Sequence, residues 1–507
     1  MILISGRGLS FDNYRATEGL NLFIVTYVFF VGFIAYLLIR YRARVIRQIL
    51  KSIFLIFGVC IVVFLVQGFH RQTSYTTFIF LIPIIAILYL MHSNPYDQAT
   101  GVVNEASFNY LIKRIASSRS EYVVMSLLLF GFEHEGSFTD EMRLAVYQFG
   151  AGIAKNAQMF KAMGGHLLFV FPREKNPDYK TVVETLRLQF DRLHSYFHIT
   201  FKAVFLLTND SLNAHNEYSS FISFIEERMP MNTYYWVNEE DLSHFEKRRY
   251  IISQLEDISR KKDLDDERVL VYCQPVYNVE TGRYDTAEAL MRLTLKDLGM
   301  VNPDQFIPVA EEETLIHSLS RIILNKTCKA IAELQGEGYL INRISINFSM
   351  LEVRDDNFCS DMIKIIQDNE ISPEKIAIEL TESRNLEDFE MVKKKIGELK
   401  DYGIKFYLDD FGTGYSNFER IMEIPFDIIK FDRSLVIEAS KNEHSAYMVS
   451  TFADMFCKLK YHVLYEGVEN ESDEKRCIKM QAQYLQGFKY SRPIPIGMLR
   501  NFLIQQK

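Results

Sequence analysis

The 507-residue chain is predicted to fold in three parts: transmembrane α-helices, then an α/β unit with helices covering a sheet, then a (β/α)8 TIM-like barrel. Three observations predict this. Three apolar runs crowd the first 92 residues. Strand-like and helix-like patterns alternate from 93 to about 240. After 267, short β-rich runs recur with helical patterns between them, and each run closes on a polar residue.

Leu22 to Ile39, Ile53 to Phe69 and Tyr75 to Met91 are almost free of charge and near the length a bilayer requires of a helix. Arg40, Arg42, Arg44, Arg47 and Lys51 fill the connection between the first two runs, whereas Arg71 stands alone in the second connection. The positive-inside bias makes the Arg-rich loop cytoplasmic, which sets everything after about residue 92 in the cytoplasm and the chain in the inner membrane as a multi-pass protein. Pro83 would kink the third run, which spanning helices tolerate. A cleaved signal peptide is the alternative for the first run, but no small-residue cleavage pattern follows it. The loops are too short for an external ligand-binding domain, and plain anchoring and sensing within the bilayer both stay open.

Charge divides the chain at the same place. Residues 1–92 hold eight Lys/Arg against two acidic residues, which leaves 49 basic and 63 acidic residues for 93–507. An acidic body does not suit a nucleic-acid polymer, whose phosphates select basic faces. A small phosphorylated ligand held through metal ions remains allowed. The six cysteines are scattered without a C-x-x-C pair, against a structural zinc site or disulfide framework and for a reducing compartment.

In 93–240 the runs 123–132, 142–157 and 166–171 read as strand, helix and strand. NPYDQATGVVNEASF (94–108), with Asp97, Thr100, Gly101, Asn104 and Phe108, and KAMGGHLLFVF, with Gly164 and Gly165, resemble GGDEF (diguanylate cyclase) domains. The resemblance implies an antiparallel-rich sheet with helices. His166 and Leu167 stand where that family carries Asp and Glu, and its R-x-x-D motif would fall at Lys155 and Gln158. A cyclase needs carboxylates for its metal ions, so the unit is expected to be degenerate and to make no cyclic dinucleotide. GTP binding with regulation of the neighbouring domain and a purely structural, dimerising use stay open. The highly charged stretch 241–266 has apolar residues three or four apart and reads as an amphipathic connecting helix.

From 267 to 507 the run-ending or embedded polar residues are Gln274, Glu288, Asn347, Glu379, Asp409 with Asp410, Lys430, Glu466 and Gln486. A (β/α)8 barrel gathers its chemistry where strand C-termini converge. Carboxylates brought together there would repel strongly without cations, and oxygen-only ligands select Mg²⁺ or Mn²⁺ over zinc. Asp409 to Ser416, DDFGTGYS, reads alone as either a metal-binding strand end or ordinary Asp-Gly turn chemistry.

Glu288-Ala289-Leu290, QPV (274–276), FIPVAEE (306–312), NFS (347–349), ELTE (379–382), DDFGTGYS, IKFD (429–432), EGVE (466–469) and QGF with Pro493 resemble EAL domains, the cyclic di-GMP phosphodiesterases of bacterial second-messenger signalling. The resemblance spans essentially all of 267–507. It implies that Glu288, Asn347, Glu379 and Asp409 ligate a first Mg²⁺ or Mn²⁺, and that Asp409 bridges to a second ion held with Asp410. It further implies that Glu466 acts through the metal-bound water network and Lys430 holds or deprotonates the attacking water. Gln274, Arg292 and Gln486 would position cyclic di-GMP, and Glu382 would anchor the 409–416 loop rather than bind a ligand. A homodimer formed through this domain is implied as well. Leu293, Cys273 and Tyr465 depart from the family pattern. Tyr465 matters most, since a bulky side chain beside Glu466 would either crowd the pocket or, by strand alternation, point away.

Overall fold

The computed structural model describes residues 103–505 except 119, 133–138, 151, 209–211, 213–216, 382–388 and 414–422, together with a few isolated positions between 29 and 62. Apart from those isolated positions the three apolar runs lie outside the described residues, as do Asp97, Thr100 and Gly101 of the 94–108 motif, Gly414 to Ser416 of the DDFGTGYS stretch, and Glu382. Among the described residues no helix is long and apolar enough to cross a membrane. The chain divides into two compact units at 245/246.

The first unit is a six-stranded sheet. Its strands are β1 (Val103–Asn104), β2 (Tyr122–Leu129), β3 (Gln158–Lys161), β4 (His166–Pro172), β5 (Phe201–Leu207) and β6 (Thr233–Trp236), in the order β1-β3-β4-β2-β5-β6. β2 pairs antiparallel with β4 and β5, and β3 with β4, whereas β1 runs parallel to β3 and β5 to β6. The period-2 pattern of β2 separates two cores. Val123, Met125 and Leu127 pack with Phe169, Leu186 and Phe190, and Val124 packs with Phe108, Leu168 and Phe221 on the other face. Gly164 and Gly165 form the turn between β3 and β4, where Ala162 N donates to His166 O at 2.9 Å. The helix expected within 142–157 is shorter, Asp140–Gln148.

The helix Glu239–Lys261 buries Phe245 in the first unit's core and Ile251, Leu255 and Ile258 in the second's. The three-to-four spacing read from the sequence is therefore a packing face.

The second unit closes eight strands into a barrel: β7 (Val269–Asn278), β8 (Arg283–Leu295), β10 (Arg343–Phe348), β11 (Ile376–Thr381), β12 (Lys405–Phe411), β13 (Ile428–Phe431), β14 (His462–Tyr465) and β15 (Tyr484–Leu485). β9 (Gly299–Val301) extends β8, and β16 (Ile494–Pro495) pairs with β7. Seven of the barrel strands, β8 and β10 to β15, run parallel in sequence, whereas β9 pairs antiparallel with β8 outside the ring. β7 departs from an all-parallel (β/α)8 barrel, because it lies antiparallel to both β8 and β15. The cause is local: Val279 to Gly282 is the whole connection from β7 to β8, and a parallel crossover needs a dozen or more residues.

Candidate functional site

Parallel strands place their C-terminal residues at one rim, and register fixes which residues stand side by side there. Glu288 pairs across from Gln274 on one side and Ser345 on the other, Asn347 stands beside Glu379, and Asp409 stands beside Thr381. Glu466 and Gln486 follow directly after β14 and β15 and are fixed by backbone bonds, Glu466 N to Phe431 O at 3.0 Å and Gln486 N to Tyr465 O at 2.9 Å. Gly487 is required by close approach, since a Cβ there would lie 2.2 Å from the Val468 carbonyl oxygen.

Lys430 sits at the hub, its side chain 1% exposed. Its ammonium lies 2.6 Å from Glu379 Oε2, 2.7 Å from Glu466 Oε1, 2.9 Å from Asp409 Oδ1 and 3.5 Å from Glu288 Oε2. Asp409 Oδ1 is buried without an aligned hydrogen-bond donor, so its contact with Lys430 is Coulombic. Around this hub, Asn347 Nδ2 donates to Glu288 Oε1 at 2.7 Å. Gln486 Nε2 donates to Glu288 Oε2 at 2.7 Å and to Gln274 Oε1 at 3.0 Å. Gln274 in turn donates to the Ser491 carbonyl at 2.9 Å, a partner in no motif and therefore invisible in the sequence.

Asp409 and Asp410 are adjacent and would face opposite ways on a regular strand. Between Leu408 and Phe411 the β12–β13 register slips, so that β12 advances one residue more than β13, and Asp410 takes the left-handed conformation at φ 56°. This bulge brings carboxylate oxygens of Asp409, Asp410 and Glu466 within 4.8 Å of one another.

Burial and charge set the protonation of the cluster. Burial, then the neighbouring Glu288, pushes Glu379 well above the usual carboxylate range. Burial also raises Glu466, to about 7, against the opposing pull of Lys430. At Glu288 burial acts upward too, but the Lys430 charge and the Gln486 and Asn347 amides outweigh it and hold the group low. Burial would discharge Lys430, yet the carboxylates of Asp409, Glu288, Glu379 and Glu466 keep it charged. Burial and then Asp409 raise Asp410. One ammonium cannot balance five carboxylates, so the donor set fits hard divalent cations.

Arg292 lies on the Glu288 strand, donates to its neighbour's carbonyl at Met291 (2.8 Å) and stacks over Tyr272 at 5.5 Å. Tyr465 is fully buried, donates to the Met480 carbonyl at 3.0 Å and packs edge-on to Phe431 at 5.0 Å. Its ring belongs to the barrel's outer core and does not crowd Glu466.

In the first unit a cavity of about 470 Å³ opens beside the β3–β4 turn, lined by Phe130, Gly165, His166, Lys202 and Glu226 among others. The buried Glu226 is already engaged: His166 Nε2 lies 2.8 Å from its Oε2, and Ser126 Oγ donates to its Oε1 at 3.3 Å.

Residues 256–493 match the family model of the EAL domain. The chain is 30% identical over 250 residues to signaling protein YkoW of Bacillus subtilis, covering 48% of this chain and 31% of that protein. It is also 30% identical over 238 residues to the cyclic di-GMP phosphodiesterase PdeL of Escherichia coli, covering 46% of this chain and 64% of that protein. Among solved structures, the PaMucR phosphodiesterase in complex with cyclic di-GMP is 26% identical, with a TM-score of 0.45, covering 48% of this chain and 99% of that one. The matches thus span about a third of YkoW and just under two thirds of PdeL.

Proposed function

We propose that this chain, whose residues 256–493 form an EAL domain, hydrolyses cyclic di-GMP to linear pGpG. The observation that carries the reading is the rim cluster in which Glu288, Glu379, Asp409 and Glu466 converge on one buried lysine. Glu288, Asn347, Glu379, Asp409, Asp410 and Glu466 would hold two Mg²⁺ or Mn²⁺ ions. When bound, such ions lower the pKa of water and stabilise the leaving oxygen of an in-line phosphodiester displacement.

The chain's own residues supply the rest. Lys430, held charged by its four neighbours, would offset the negative charge that grows on the phosphoryl group. Glu466, 2.7 Å from the Lys430 ammonium, would act through the water that those ions hold. Arg292 would grip a phosphate bidentately, while Gln274 and Gln486 would orient the dinucleotide. Glu382 would anchor the loop after Asp410.

The wider reading is a multi-pass inner-membrane enzyme with its catalytic domain in the cytoplasm. It acts as a homodimer, and the GGDEF-like first unit regulates it, with GTP as the candidate ligand. The first experiment measures cyclic di-GMP turnover by the full chain with Mg²⁺ or Mn²⁺, with and without GTP. Linear product supports the enzyme, and a rate that rises with GTP supports the regulatory unit. Binding without product would replace the reading by a cyclic di-GMP receptor.

A further inference from the structure

Lys430 has three N–H bonds and four carboxylates within 3.5 Å, contributed by β8, β11, β12 and the segment after β14. A buried lysine that only oriented one water would need one acidic partner. Here the ammonium stands where a cation for the whole ring would stand, and the ring's remaining donors, the Asn347 and Gln486 amides, both turn to Glu288. Like-charged carboxylates this close repel strongly at low dielectric. Bound protons relieve part of that repulsion, and positive charge inside the ring relieves the rest while the chain folds.

We propose that Lys430 is the built-in counter-cation of this ring: it holds the four carboxylates together before any divalent ion arrives, and it competes with that ion for the same oxygens. Cation affinity is then set by the balance between two positive charges sharing one set of acceptors. The inference rests on the ring being the metal site. It adds that the lysine weakens metal binding in return for a site that is formed without metal. A lysine serving only as scaffold would make the opposite prediction, since its loss would loosen the ligands and weaken the metal.

The test compares the chelator-stripped full chain with Lys430→Met and Lys430→Arg. Mn²⁺ binding is followed by electron paramagnetic resonance, and thermal unfolding is followed with and without Mn²⁺. Lys430→Met is expected to bind Mn²⁺ on the order of tenfold more tightly than the parent, because a repelling unit charge beside the ion is gone. Without metal it should melt below the parent, with much of the difference recovered at saturating Mn²⁺. Lys430→Arg keeps the charge and should bind close to the parent. Lys430→Gln, which retains donors for the carboxylates, runs in parallel and carries the same expectation of tighter binding should the Met variant not fold. Equal or weaker Mn²⁺ binding by a folded neutral variant overturns the proposal while leaving the metal site standing. Absence of Mn²⁺ binding by the parent overturns both.

Discussion

At Asp409 a single charge separates two outcomes. Asparagine there keeps the shape but removes a carboxylate 2.9 Å from the Lys430 ammonium, so Asp409→Asn is expected to fold normally and to lose cyclic di-GMP hydrolysis by at least about a hundredfold. Product assays beside circular dichroism check this, and retained turnover would contradict the two-cation assignment. Away from the ring, Glu352 caps the helix Met350–Arg354 by accepting from Ser349 N at 2.8 Å, and burial lifts its carboxyl to about 7. The folded state therefore binds a proton that the unfolded chain, near 4.5, has released. Its contribution is fully present below 4.5 and is lost as pH rises to about 7, a loss on the order of 2–3 kcal/mol. Glu352→Gln should gain stability over the parent progressively across that window, and paired melting curves from pH 4.5 to 7.5 would show a constant difference if the reading is wrong. Tyr465 shows what alternation alone can decide. The sequence left its direction open, and its hydroxyl bond to Met480 places it on the face opposite Glu466.

At the scale of elements, the end of β12 carries the most information per residue. The register slip and the positive φ of Asp410 are one device, and Gly412 completes it, because a Cβ there would meet the Leu435 side chain at 2.6 Å. Asp410→Gly suits the left-handed backbone and should leave the melting temperature unchanged or higher while weakening Mn²⁺ binding. Asp410→Val should cost about 1–2 kcal/mol of stability as well as the carboxylate. Similar melting temperatures for the two variants would mean that the bulge is unstrained. Much of this rim was legible in the sequence, because Glu379, Lys430 and Glu466 each interrupt or end an apolar run too regular for loops. Three features were not. The antiparallel β7 depends on a four-residue connection whose shortness does not itself announce strand direction. The bulge depends on a slip relative to β13, which no single strand encodes. The Lys430 hub depends on the convergence of distant strands: the sequence pointed to the lysine as a residue acting on the attacking water, but not to its contact with four carboxylates.

For the molecule as a whole, the two units present opposite cases. In the second, polar residues scattered over two hundred positions meet at one rim. In the first, the cavity beside the β3–β4 turn holds a carboxylate paired with His166, and the expectation that no cyclic dinucleotide is made rests on His166 and Leu167 standing where a cyclase would need carboxylates. The clean test uses the full chain with Asp409→Asn, so that any product survives. Incubated with GTP and Mg²⁺ or Mn²⁺, it is expected to form no cyclic di-GMP, and detectable product would mean that His166 and Leu167 do not stand at the cyclase's carboxylate positions.

Charge makes a separate demand on the first 92 residues. Their eight basic residues against two acidic ones, five of the basic ones within one connection, contrast with the acidic remainder of the chain. Apolar runs of this length release more free energy in lipid than their few polar groups cost, and the Arg-rich connection resists translocation. The full chain expressed in bacteria should therefore sediment with membranes and resist extraction by alkaline carbonate, yielding only to detergent. A chain beginning at residue 93 should leave the membrane fraction. Protease added outside spheroplasts should spare residues 267–507, and protease added to inverted vesicles should digest them. Full-length protein released by carbonate would remove the anchor, and digestion in spheroplasts would reverse the orientation read from Arg40 to Lys51.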